Sequence, residues 1–138
     1  MKYTNRATTF FLLLAGLFVY SLPVSGHHSF PAQYDASKTV TLNGKVTRVE
    51  WTNPHIFIYI DVADETSGAT ENWALELGGP NALLRAGWKR NSLKTDDVIT
   101  VDGALARDGS NLVNATSIIL DATGKRMLTA SSRDNQNE

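Results

Sequence analysis

The sequence predicts an all-β domain with one short helix, in the form of an OB-fold-like five-stranded Greek-key barrel. Two observations carry that expectation. Apolar and polar residues alternate with the period of two that a half-buried strand requires, in five separate runs. The runs also come in a telling order: three strands, a short stretch of helical character at "GGPNALLRAGW", then two more strands. A five-stranded barrel with a long, coiled first strand and a helix between strands three and four has that order. A six-stranded sandwich or a small open meander shares much of the pattern.

The first run, "TVTLNGKVTRVEW", puts Val40, Leu42 and Val46 in one phase and Val49 and Trp51 in the other. A phase change within one strand calls for a bulge or sharp bend, for which Gly44 is the natural place. "TNP" ends the run, because Asn53 before Pro54 is pushed out of helical geometry and the pair favours a turn. "HIFIYIDV" follows, with Ile56, Ile58, Ile60 and Val62 on one face and His55, Phe57, Tyr59 and Asp61 on the other. After the polar connection "ADETSGATE", Trp73, Leu75 and Leu77 alternate with Asn72, Ala74 and Glu76. Pro80 suits the first turn of a helix and Gly87 its end. The last two strands are expected at about Val98 to Ala106 and Leu112 to Leu120, with the hairpin signal Asp108-Gly109 between them.

Residues 1–26 read as a signal peptide. Lys2 and Arg6 give the positive start, Phe10 to Leu22 is almost wholly apolar, and the small residues Val24 and Gly26 suit a peptidase, whereas cutting one residue earlier puts Pro23 in an unfavourable position. The apolar run is too short for a good membrane span, which takes roughly 20 residues. Cleavage after Gly26 leaves His27 as the new N-terminus. The expected organisation is then an N-terminal arm at 27–38, the barrel at 39–128 and a disordered polar tail at 129–138. Phe30 and Tyr34 are the arm's large apolar groups and would anchor it.

Leader removal takes two from the 13 basic residues against 14 acidic ones, a net charge of about −3 with histidines neutral. That argues against a nucleic acid or other polyanion as partner, and no membrane contact is expected after processing. The absence of cysteine excludes disulfides, thiol catalysis and iron–sulfur clusters. A short leader without disulfides fits a bacterial periplasm.

All three histidines fall in two places: His27 and His28 at the expected mature end, and His55 in the turn after the first strand. Once freed, the α-amino nitrogen of His27 and its own imidazole close a chelate ring on a metal, and a third nitrogen from His55 or His28 completes the T-shaped set called a histidine brace. Such a nitrogen-rich set suits Cu(II), which heads the divalent affinity order. Zinc fits less well, because neither "HHSF" nor "NPH" holds a carboxylate at short range. The plainer alternative is that His27 and His28 are solvated and His55 caps its turn.

Other constellations are weaker. Trp51, Phe57 and Tyr59, with Lys45 and Arg48 nearby, form a candidate ligand face of the kind that OB-folds use for stacking, although such aromatics more often fill a core. Trp88 reads as a plug for the barrel end with Lys89 and Arg90 solvated, Asp96-Asp97 as a tight turn, and Asn114-Ala115-Thr116 as strand residues rather than a glycosylation site. Ser29 has no oriented partner for nucleophilic chemistry.

Taken together, "HHSF", "VEWTNPH", "ELGGPNALLRAGW" and "NSLK" resemble a family of short exported bacterial proteins grouped as a domain of unknown function. The resemblance covers nearly all of the mature chain. It implies export and a small β domain, carries no activity with it, and matches at His27, His28 and His55. The chain departs from the family's pattern at "LKTDDVITV", where glycine would precede aspartate. The function expected is a periplasmic metal-binding protein, copper being the expected ion, acting in storage, delivery or sensing and not as an enzyme, with another periplasmic protein as a further partner. The alternative is an interaction module that uses the aromatic face.

Overall fold

A computed structural model describes residues 30–64 and 66–131. The leader at 1–26, His27 and His28, and the tail beyond residue 131 lie outside the described residues.

The chain forms α1 (Phe30–Gln33), β1 (Tyr34–Glu50), β2 (Phe57–Ala63), β3 (Thr70–Glu76), α2 (Pro80–Arg85), β4 (Val98–Ala106), β5 (Leu112–Leu120) and β6 (Lys125–Leu128). The fold is all-β, mostly antiparallel, with two short helices. β1 lies antiparallel to both β2 and β4, β2 to β3, and β4 to β5. Parallel pairing of Ala74–Glu76 with Leu112–Asn114 joins β3 to β5, so pairing runs β1-β2-β3-β5-β4 and returns to β1. The order of the first five strands and the place of α2 are those the sequence predicts.

The core follows from the period of two. Ile56, Ile58 and Ile60 are fully buried and pack with Val46, Leu75, Leu77, Leu83, Ile99, Val101, Val113 and Ile118. Trp88 caps this cluster, its indole N–H donating to the Leu128 carbonyl at 2.8 Å, while Lys89 and Arg90 stay exposed. Asn114 is fully buried in β5, as the strand reading of its sequon requires.

Several expectations change. The phase switch in β1 comes from a register shift between Val46 and Arg48, not from a bend at Gly44. Gly44 serves close approach instead, since a Cβ there would stand 2.7 Å from the Asp61 carbonyl oxygen. The first strand begins at Tyr34 rather than Thr39: Tyr34 and Asp35 pair with Ala106 and Leu105, and a second register shift follows before Thr39. The arm therefore belongs to the sheet for much of its length, opened by a helical turn at α1. Strand β2 starts at Phe57, leaving His55 and Ile56 in the connection that contains the cis Asn53–Pro54 peptide.

At the other end, β6 is an addition that "KRML" conceals, because of its residues only Met127 turns inward. Thr129 and Ser131, placed by sequence in a disordered tail, are buried; Thr129 donates to the Ala115 carbonyl, and Ser131 meets the Asn114 side chain. Polar side chains pack there because the backbone of the segment ties into β3 through Gly78 N–H and the Thr129 carbonyl at 3.0 Å.

Candidate functional site

The segment between β1 and β2 is tied to the end of β3 by two backbone hydrogen bonds, from Ile56 N–H to the Gly78 carbonyl at 3.2 Å and from Leu77 N–H to the Ile56 carbonyl at 2.9 Å. Pairing therefore continues one step beyond Phe57↔Glu76, and His55 becomes a diagonal neighbour of Glu76 on the face opposite the isoleucines. The His55 Nδ1 lies 2.8 Å from Glu76 Oε1. The histidine side chain remains 32% exposed and the glutamate's only 6%.

The other oxygen of Glu76 accepts from the hydroxyl of Tyr34. Strand register explains how a residue 42 positions away arrives there. Tyr34 pairs with Ala106, Ala104 pairs with Asn114, and Asn114 pairs with Glu76, all on one face. Ala104 and Ala106 have short side chains, so the tyrosine ring lies across them; Phe30 closes over it with ring centroids 5.5 Å apart. Burial and the neighbouring Glu76 carboxylate push the Tyr34 hydroxyl far above its ordinary value of 10.0. It stays protonated and donates. A buried carboxylate is stable only when its lone pairs are met, and here both oxygens are engaged, one by the Tyr34 hydroxyl and the other by the His55 ring nitrogen.

Sequence reasoning missed Glu76 as part of the site. It counted Glu76 with the outward phase of β3, beside Asn72 and Ala74, but at the end of that strand Leu75, Glu76 and Leu77 are all buried. A lone acid inside the apolar run "ALELGG" was the available signal. Tyr34 was read as an anchor for the arm, and it is one: only 1% of it is exposed.

The aromatic candidates separate. Trp51 packs against the main core. Phe57 and Tyr59 stack on the opposite side of β2 at 6.4 Å, where Arg48 lies 3.9 Å over the Tyr59 ring and the Tyr59 hydroxyl reaches Glu50 at 3.1 Å. Trp51 is thus separated from the Phe57–Tyr59 pair, and Arg48 beside that pair is engaged by Tyr59 and Glu50. Among the described residues no three His, Asp or Glu side chains stand together as a metal site. His55 is the one expected ligand whose surroundings are described; His27 and His28 lie outside.

The fold and its site define a small all-β domain in which an N-terminal arm and a buried carboxylate together hold a half-exposed histidine. A family model described as a family of unknown function (DUF6152) matches residues 16–114, and the chain belongs to that family. The match spans His27, His28, Tyr34, His55 and Glu76. No curated protein and no solved structure matches the chain.

Proposed function

We propose that this is an exported, periplasmic metal-binding protein that holds Cu(II) in a histidine-brace-like site formed when the leader is removed, and that it serves metal storage, delivery or sensing. His27 supplies its terminal amine and imidazole, His55 the opposing imidazole, and His28 a further ligand or a supporting contact. The observation that carries this reading is the anchored position of the arm relative to His55. Phe30 is buried against Tyr34, Tyr34 holds Glu76, and Glu76 holds His55. His27 stands three residues before Phe30, and three residues span at most about 10 Å when extended. The freed terminus is thus tethered, within about 10 Å, to a residue that the Tyr34 and Glu76 contacts link to His55.

Copper titration of the processed protein tests the reading against a form carrying one extra N-terminal residue. The added residue turns the amine beside His27 into an amide, a poor ligand unless deprotonated, and leaves the β domain untouched. One Cu(II) per chain is expected in the processed form, with much weaker binding in the extended one and equal thermal stability of the two without metal. His55→Ala is expected to weaken binding more than His28→Ala. Electron paramagnetic resonance reports the nitrogen ligands directly. Equal affinity of processed and extended forms removes the brace, and binding no tighter than millimolar in every form leaves the aromatic-face module as the better account.

A further inference from the structure

A neutral imidazole offers one lone pair, and its position is set by whichever ring nitrogen carries the proton. At His55 the surroundings leave no symmetry between the two nitrogens. Nδ1 lies 2.8 Å from an oxygen of a buried carboxylate, while the histidine side chain as a whole is 32% exposed. An ionised carboxylate accepts hydrogen bonds and cannot donate one, so the proton belongs on Nδ1 and the lone pair on Nε2. Free histidine in water prefers the opposite tautomer.

We propose that Glu76 is a positioning residue that fixes His55 as the Nδ1–H tautomer, so that only Nε2 is presented to a ligand, and that Tyr34 is the anchor that keeps Glu76 in place. The inference deepens the metal reading above and rests on it for the ligand, but the tautomer itself does not depend on metal. The ligand class is a Lewis acid, a nitrogen-seeking metal ion, because a lone pair held at a fixed angle by a second hydrogen bond is what such an ion meets in carboxylate–histidine–metal arrangements. Glu76 donates no atom to the metal. It orients the ring.

Tyr34 has a second role that a simple buffer of the carboxylate would not have. It sits at the first position of β1, directly after α1, and its ring is covered by Phe30. The docking of the arm and the orientation of His55 are therefore set by the same hydroxyl.

Nitrogen-15 spectra of the processed protein without metal, with His55 assigned by comparison with His55→Ala, read the tautomer. His55 is expected as Nδ1–H in the wild type and as the solution-like Nε2–H form in Glu76→Ala; in Glu76→Gln a single amide oxygen must serve both Tyr34 and the ring, and the amide NH2 can donate to Nδ1, so the Nδ1–H form is expected to lose population. Tyr34→Phe keeps the carboxylate but loosens it, so a mixture of tautomers is expected. In parallel, Cu(II) affinity is expected to fall 10- to 100-fold in Glu76→Ala, the range for lost partners of ligating histidines, and less in Glu76→Gln. A wild-type His55 protonated on Nε2, or an unchanged tautomer or copper affinity in Glu76→Ala, overturns the proposal. If Glu76→Ala does not fold, Glu76→Gln and Tyr34→Phe decide it: a loss of Nδ1–H in Glu76→Gln and a mixture in Tyr34→Phe support it, and a wild-type tautomer unmoved in both overturns it. Absence of copper binding in every form defeats the metal reading alone, and the spectra then decide the tautomer by themselves.

Discussion

Ile58 has no exposed surface and sits near the start of β2 within the main core cluster. Ile58→Ala removes buried methyl and methylene groups and leaves a cavity that neighbouring strands cannot fill, so a loss of about 2–5 kcal/mol is expected in chemical denaturation. A change below about 0.5 kcal/mol would mean that the isoleucine face is not the core. Tyr34 acts through protonation. Its hydroxyl titrates far above 10.0 in the folded chain, so the folded state keeps a proton that the unfolded state releases. The stability this contributes is fully present below about pH 10 and is lost as pH rises beyond it. Thermal midpoints measured from pH 8 to 11 are therefore expected to fall on the alkaline side in the wild type and to fall less steeply in Tyr34→Phe.

Strand β1 pairs with β4 along one half and with β2 along the other, and the crossing falls at Lys45, which pairs with Val98 on one side and Asp61 on the other, next to Gly44. A methyl group at Gly44 would meet the Asp61 carbonyl at 2.7 Å and the side chains of Ile60 and Val62 at 3.1 Å. The carbonyl is backbone and cannot rotate away. Gly44→Ala is expected to force β1 and β2 apart and to cost about 1–3 kcal/mol, the range for overpacking, seen as a lower denaturation midpoint with an unchanged slope. The turn entering β4 shows the reverse case. Asp96 adopts a φ of +72°, in the left-handed region that favours glycine. Its ion pair with Lys45 at 3.7 Å leaves both side chains well exposed, and such a pair contributes little. Asp96→Gly relieves the side-chain strain and gives back part of it as unfolded-state entropy, leaving an expected gain of under about 1 kcal/mol. A lower melting temperature would show that the Lys45 pair outweighs the strain.

Over the whole domain, the outer face is laced by aspartates whose carboxyls lie below their ordinary value of 3.8. Asp102 is held chiefly by the Thr41 and Ser117 hydroxyls, Asp97 by Lys94, Asp35 by Ser37, Asp64 by the Ser67 and Thr66 backbone, and Asp108 by Ser110. These groups join β1 to β4 and brace three turns, so their effects are spread across the molecule. Because each folded value is lowered, the stability it contributes is present above about pH 4 and is lost as pH falls through the folded values. Melting temperature is expected to change little between pH 7 and pH 5 and to drop below pH 4; an unchanged midpoint down to pH 2 would show that the folded and unfolded chains hold these protons alike.

Sequence alone determined the elements whose cause is local. The isoleucines of "HIFIYIDV" recur with period two and are buried where that period puts them, and β4 and β5 begin and end at the expected residues because their boundaries are written in turn chemistry. Pro80 and Gly87 bracket α2 for the same reason. His55 was recognisable as a candidate from residue type and from its place after Asn53–Pro54. What only the tertiary structure decided depends on residues far apart in the chain. The register shift at Val46/Arg48 is set by partner strands and not by Gly44; β6 and the buried Thr129 and Ser131 gain their surroundings from β5 and β3. Above all, Glu76 reads as a solvated strand residue until Tyr34, 42 positions earlier, and His55, from another connection, close on its two oxygens. A periodic pattern tells which face a side chain takes, but burial of a charge is settled by what the fold brings against that face.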